Sequence, residues 1–120
     1  MQILHLVPAA YFHSLPAAEP YLPAEFAADG FIHCTAEPEV MLEIANRFYA
    51  NVPGEILVLE IDSDRVTSEV KWEPPIHPGG TPAPASAERL FPHVYGPLNR
   101  DAIVGIRAAA RAPDGAFLSV

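Results

Sequence analysis

Short apolar runs along the chain predict more strands than helices. Glu55 to Asp62 (EILVLEID) is the clearest strand, because it is apolar, rich in β-branched residues and acidic at its ends. Gln2 to Val7 is largely apolar on both faces, which predicts a central position in a sheet. Three shorter strands are predicted at Phe31 to Cys34, Glu69 to Glu73 and Leu90 to Tyr95.

Helical spacing is found in two segments. A helix is predicted after Thr35, which we expect to be its N-cap, with Pro38 in the first turn and an end before Pro53. Its apolar stripe consists of Val40, Met41, Ile44, Ala45 and Phe48. A shorter helix is predicted from Ala9 to Leu15, between two prolines.

The C-terminal region fits two patterns. Asn99 can cap a helix that runs to Arg111, whereas the apolar run Ile103 to Ile106 favours a strand. The turn signal Pro113-Asp114-Gly115 then leads into Ala116 to Val120, so we predict a hairpin.

Length and composition indicate one folded domain over residues 1–120. The chain is 50% hydrophobic and only 18% charged, which excludes a disordered acidic tail. It contains 14 prolines, more than double the average share of roughly 5%. Five of them lie in Pro74 to Pro84, which predicts a rigid loop, and Pro92 predicts an edge position or a bulge for its strand.

The net charge of −8 argues against nucleic acid and anionic membrane as partners, while a small phosphorylated ligand stays compatible with a local basic pocket. Cys34 is the single cysteine, so no internal disulfide forms. No apolar run reaches the length of a membrane span, and the N-terminus lacks the pattern of a signal peptide. We therefore expect a cytoplasmic domain.

Three of the five histidines, His5, His33 and His93, fall in predicted strands. If these strands are neighbours, the imidazoles share a cleft and can bind a ligand or move protons; the alternative is that each is a core histidine bonded to backbone. No compact pair such as H-x-H is present, so no metal is expected. Cys34 points away from the face of His33, which disfavours a cysteine nucleophile. Thr35 shares the face of His33 and is therefore a candidate to bind the ligand.

Four other side chains are candidates. Glu73 follows Trp72 and precedes two prolines, so it is either a desolvated general base or a solvated edge charge. Trp72 is a stacking platform or a core residue. Arg47, on the flank of the apolar stripe, is a candidate for phosphate binding or for an intramolecular ion pair. Tyr95, on the face of His93, either contacts the ligand or is buried with its hydroxyl satisfied.

Seven segments of the chain match, in order, the motifs of a known family. They are Ile3-Leu4-His5-Leu6, Asp29-Gly30-Phe31-Ile32-His33-Cys34-Thr35, Ala45-Asn46-Arg47-Phe48-Tyr49, Leu57 to Asp62, Lys71-Trp72-Glu73-Pro74, Phe91-Pro92-His93-Val94-Tyr95-Gly96-Pro97-Leu98 and the Asp114-Gly115 turn. By these motifs the chain resembles the bacterial and plant family called domain of unknown function 952.

Members of that family look like remote relatives of the ADP-ribosyltransferase fold. The resemblance implies an α+β fold of two packed, bent, mostly antiparallel sheets around a cleft for NAD. It implies that His5 contacts the ribose beside nicotinamide, that His33 lies on the second core strand, and that His93 or Tyr95 supplies a third site residue. Glu73 is the nearest equivalent of the transferase glutamate.

Three functions are therefore considered. The leading one is a domain that binds NAD or a related nucleotide in a cleft lined by His5, His33 and His93, and that cleaves or transfers at the glycosidic bond without a metal. The second is a non-catalytic nucleotide-binding module on the same fold, supported by Leu6-Val7 after His5, where transferases have Gly-Thr. The least favoured is a metal-dependent hydrolase built on the histidines.

Overall fold

The computed structural model describes residues 1–74 and 90–120. Its strands are β1 (Gln2–Pro8), β2 (Ile32–His33), β3 (Ile56–Asp62), β4 (Glu69–Glu73), β5 (Phe91–Tyr95), β6 (Ile103–Ala108), β7 (Ala110–Arg111) and β8 (Phe117–Ser119). Its helices are α1 (Ala9–Ser14), α2 (Phe26–Asp29) and α3 (Pro38–Phe48), with 3-10 turns at Ser63–Arg65 and Arg100–Ala102. The fold is thus α+β, as predicted. Except for Pro74, the predicted rigid loop lies outside the described residues.

The described strands form two three-stranded antiparallel sheets and one hairpin. The first sheet has the order β1-β3-β6 and the second has the order β2-β5-β4. A two-residue bridge joins them: the N–H of Leu4 donates to the carbonyl of Thr35 at 2.7 Å, and the N–H of Thr35 donates to the carbonyl of Leu4 at 2.8 Å. The second sheet is therefore held against the edge of β1.

The central position predicted for β1 is wrong, because β3 is the middle strand of that sheet. Both faces of β1 are nevertheless buried, since each face lies in a different core cluster. Ile3 and Val7 pack in one cluster with Val94 of β5, and Leu4 and Leu6 pack in the other with α3. A strand that is apolar on both faces thus reflects coverage by two layers and does not require two strand neighbours.

The N-cap prediction for Thr35 is also wrong. The helix α3 begins at Pro38 after an extended Glu37, and no side chain caps it. Thr35 lies too far upstream to cap the helix, because its backbone pairs with Leu4. Proline in the first turn costs no hydrogen bond, which explains why the helix starts there.

The strand β5 is central in its sheet and its register with β2 and β4 is regular, so neither the edge position nor the bulge predicted from Pro92 is found. The carbonyl of Pro92 accepts from the N–H of Cys34 at 3.2 Å. Within an extended strand the nitrogen and carbonyl of one residue face the same side. Cys34 lies opposite Pro92, and a hydrogen-bonded antiparallel pair exchanges two bonds. The missing N–H of Pro92 therefore removes the second bond, and the pairing of β2 with β5 ends there.

The predicted C-terminal hairpin is confirmed by the pairing of β7 with β8. Arg111 joins it to the loop after α3: its guanidinium donates to the carbonyls of Val52 at 2.7 Å, Gly54 at 2.6 Å and Ala50 at 3.0 Å. The same group lies 4.5 Å from the centre of the Phe117 ring. No helix within residues 1–74 and 90–120 is long and apolar enough to cross a membrane.

Candidate active site

Two of the predicted histidines lie side by side. His33 and His93 are direct partners in the pairing of β2 with β5, so their side chains project from the same face. Their rings meet edge to face, with centroids 5.7 Å apart. We call these two residues the histidine pair.

A buried carboxylate holds the first ring of the pair. Asp29 Oδ2 lies 2.8 Å from Nε2 of His33, and only 2% of the Asp29 side chain is exposed. Asp29 is the last residue of α2, which ends at Gly30 with φ of 79°, a conformation that favours glycine. Sequence reasoning treated Asp29-Gly30 only as a turn. The sequence carries no periodic signal for this contact, because Asp29 ends a helix and His33 lies on a strand after the left-handed Gly30.

A second carboxylate holds the other ring. Nδ1 of His93 lies 2.9 Å from Oε1 of Glu73, and the hydroxyl of Tyr95 donates to the same oxygen at 2.5 Å. These two donors lower the pKa of Glu73, and the carboxylate in turn raises the pKa of Tyr95 to about 12. Glu73 is therefore an ionised acceptor at neutral pH and not a desolvated base with a raised pKa.

The imidazole of His93 is neutral at physiological pH. Burial lowers its pKa and the nearby His33 lowers it further, which outweighs the opposing effect of Glu73. A carboxylate oxygen only accepts hydrogen bonds, so Nδ1 carries the proton of the neutral ring. Nε2 is then the unprotonated nitrogen and a proton acceptor, and no described residue makes a hydrogen bond to it.

The ring of Phe31 packs between these polar groups. It stacks on His93 with centroids 4.2 Å apart, and it lies 4.6 Å from the ring of His33 and 5.3 Å from that of Tyr95. Phe31 is buried, and it is two residues before His33, a spacing that puts both on one face of an extended segment. We refer to the following residues together as the histidine cluster: Asp29, Phe31, His33, Glu73, His93 and Tyr95.

His5 does not offer a ring nitrogen to a ligand. Its Nδ1 lies 2.7 Å from the carbonyl oxygen of His33, and its Nε2 lies 2.7 Å from the hydroxyl of Tyr21. Burial lowers the pKa of His5 to about 4, so the ring stays neutral, with Nδ1 donating to the carbonyl and Nε2 accepting from Tyr21. The expectation that three imidazoles converge is corrected: two converge, and His5 supports β2 from the core.

The other predicted ligand residues lie elsewhere. Thr35 is buried at the bridge between the sheets. Arg47 is exposed, with its guanidinium 5.6 Å from the ring of the adjacent Phe48, so it does not reach across the protein. Trp72 is 42% exposed and therefore not a core residue, and alternation along β4 turns it away from the face of Glu73.

Two further possibilities concern Cys34 as a nucleophile and the histidines as metal ligands. Burial raises the pKa of the Cys34 thiol, which keeps it protonated and unreactive. Among residues 1–74 and 90–120, no group of three or more His, Cys, Asp or Glu side chains is arranged to hold a metal ion.

Comparison with known proteins places the chain in a family. The family described as protein of unknown function (DUF952) matches residues 6–106. The chain belongs to this family. A crystal structure of protein CC0527 from Caulobacter crescentus is 23% identical in sequence, with a TM-score of 0.75 over 98% of this chain and 93% of that one.

The solution structure of CC0527 is also similar. It is 24% identical, with a TM-score of 0.65 over 95% of this chain and 89% of that one. These DUF952 and CC0527 likenesses establish a shared fold. A comparison with proteins of curated function gave no match.

Proposed function

We propose that the histidine cluster binds NAD or a related nucleotide and catalyses cleavage or transfer at the glycosidic bond to nicotinamide. The observation that carries this proposal is the contact between His33 and His93, each hydrogen-bonded to its own carboxylate. Paired imidazoles with oriented carboxylates are suited to acid–base work near neutral pH. We further propose that the two joined antiparallel sheets are a distant form of the ADP-ribosyltransferase fold.

The electrostatics of the cluster suit this reaction. When the bond between ribose C1′ and the nicotinamide nitrogen breaks, nicotinamide leaves with the electron pair and the sugar gains oxocarbenium character. The ionised Glu73, about 30% exposed, supplies negative charge for that state. Water or an acceptor hydroxyl then bonds to C1′, and its proton passes to Nε2 of His93.

The phosphates of such a ligand need a cation in this acidic chain. Lys71 is on the same face of β4 as Glu73, and its ammonium lies 4.7 Å from the centre of the Tyr95 ring. Its side chain is 48% exposed and can therefore reach a ligand. Its ion pair with Glu69 is long, at 3.9 Å, and leaves the ammonium free to change partners.

The direct test combines calorimetric titration with NAD and chromatographic measurement of released nicotinamide. We expect binding and turnover in the wild type. Glu73→Gln keeps the size of the side chain but removes its charge, so it should lower the rate about a hundredfold. The matched control is His13→Gln, because His13 is an exposed histidine on α1. Absence of binding at millimolar NAD would reject the proposal.

A second candidate function is a nucleotide-binding module without catalysis. The observation that favours it is the burial of His93, whose side chain is only 1% exposed. A base so covered has little room for a reacting group. NAD affinity that depends on Glu73, with no nicotinamide released over hours, would support this candidate over the enzyme.

A further inference from the structure

The hydrogen bonds of the histidine pair decide which ring nitrogens donate and which accept. We call this assignment the polarity of the site. Nε2 of His33 faces a carboxylate oxygen of Asp29, and Nδ1 of His93 faces one of Glu73. Because a carboxylate oxygen only accepts, each of these nitrogens carries the proton when its ring is neutral. Among residues 1–74 and 90–120, no hydrogen bond occupies Nδ1 of His33 or Nε2 of His93, and both are acceptors. The side chain of His33 is 19% exposed and that of His93 is 1% exposed.

The neighbouring groups reinforce that polarity. The carboxylates of Asp29 and Glu73 lie directly behind the two rings, and the Tyr95 hydroxyl already donates to Glu73. An anion beside this pair is repelled, because it faces the unshared electron pairs of the two ring nitrogens and the negative charges of the two carboxylates. Protonation of His93 to receive it is opposed by burial and by the ring of His33, 5.7 Å away between centroids, both of which lower the pKa of His93.

We infer that the ring nitrogens of the histidine pair recognise the hydrogen-bond donors of a nucleoside, such as its vicinal hydroxyls, while phosphates bind the ammonium of Lys71 and not the rings. We also infer that Asp29 is the positioning residue that sets the polarity of His33. The identity of the ligand rests on the proposed function. The role of Asp29 rests only on its contact with His33 and its burial.

The experiment follows the ring nitrogens of the ¹⁵N-labelled protein by NMR. In the free protein, His33 should show a proton on Nε2 and His93 a proton on Nδ1. Nicotinamide riboside, which has hydroxyl and amide donors but no phosphate, should shift the signals of both rings. Inorganic pyrophosphate should shift them no more than it shifts the signals of the exposed His13.

Two substitutions at Asp29 distinguish an effect on the tautomer of His33 from an effect on the stability of the protein. Asp29→Ala removes the acceptor, so His33 should lose its single tautomer and the affinity for the riboside should fall about tenfold. Asp29→Asn keeps a side-chain oxygen of the same size and should recover most of the tautomer and the affinity. Asp64→Asn is the control, since that side chain is 86% exposed.

The outcomes distinguish this inference from the proposed function. Signals that respond to pyrophosphate by protonation of the rings, or that ignore the riboside while NAD binds, overturn the inference and leave the proposed function standing. If neither NAD nor the riboside binds, the ligand assigned in this inference and the ligand of the proposed function are both wrong. A wild-type tautomer at His33 in Asp29→Ala, in a variant with native spectra, rejects the positioning role of Asp29.

Discussion

His33 and His93 face each other across two antiparallel strands, and their rings meet edge to face with centroids 5.7 Å apart. The contact joins two separate carboxylate–imidazole pairs, because Asp29 holds one ring and Glu73 holds the other. The four side chains come from α2, β2, β4 and β5. The site is thus assembled by the second sheet and the helix that precedes it.

The buried His5 should make stability depend on pH. Its folded pKa is about 4 and its unfolded pKa is about 6.5, so the unfolded chain gains a proton first as the pH falls. The stability from this residue is complete above pH 6.5 and is lost towards pH 4, with a total on the order of 3 kcal/mol. Urea denaturation at pH 7.5, 5.5 and 4.5 measures it.

The variant His5→Gln should flatten that pH dependence while lowering stability at neutral pH. The exposed His13→Gln should leave the curve unchanged. An equally steep loss of stability between pH 6.5 and 4 in His5→Gln would show that other groups cause it.

Glu73 should control the ionisation of Tyr95. The hydrogen bond to the carboxylate raises the pKa of Tyr95 to about 12. In Glu73→Gln the negative charge is gone, so the pKa of Tyr95 should move back towards its usual value of about 10. NMR titration of protein labelled in its tyrosine rings measures this pKa, and Tyr95→Phe identifies the signal of the residue. An unchanged titration would argue against this hydrogen bond.

Arg111 should contribute strongly to the free energy of unfolding. Its guanidinium donates to several backbone carbonyls of the loop after α3, Val52 and Gly54 among them, and packs on Phe117. Arg111→Ala should cost about 2–3 kcal/mol, since several bonds from a charged donor to backbone carbonyls are lost, most of them partly buried. Arg111→Lys should recover little, because an ammonium lacks the planar fork.

The control for this prediction is Arg65→Ala, at a side chain that is 61% exposed. We expect less than about 0.5 kcal/mol there. Equal losses in Arg111→Ala and Arg65→Ala by urea denaturation would contradict the structural role of Arg111.

Cys34 should resist thiol reagents in the native protein. The residue is buried and its pKa is raised, so little thiolate forms at mild alkaline pH. Labelling with a chromogenic disulfide should be slow in buffer and fast in urea. Rapid labelling of the folded protein would show that the interior around Cys34 opens readily.

The sequence alone predicted the elements whose signals are local. Apolar runs predicted β1 and β3, alternation predicted β5, and helical spacing predicted α3, while Pro113-Asp114-Gly115 predicted the hairpin of β7 with β8. These patterns depend only on neighbours within a few residues, so no knowledge of the packing was needed. Because His33, His93 and Glu73 are polar residues in predicted strands, the sequence also indicated them as candidate site residues.

Tertiary structure alone decided which candidates share a site. Pairing of β2 with β5 brought His33 to His93, although they are 60 positions apart in the chain. The same packing buried His5 against Tyr21 and placed Arg47 on the surface. Strand register and burial follow from contacts between distant segments, and the pattern along one strand does not contain them. The sequence therefore determined the kinds of groups available, and the fold determined which of them meet.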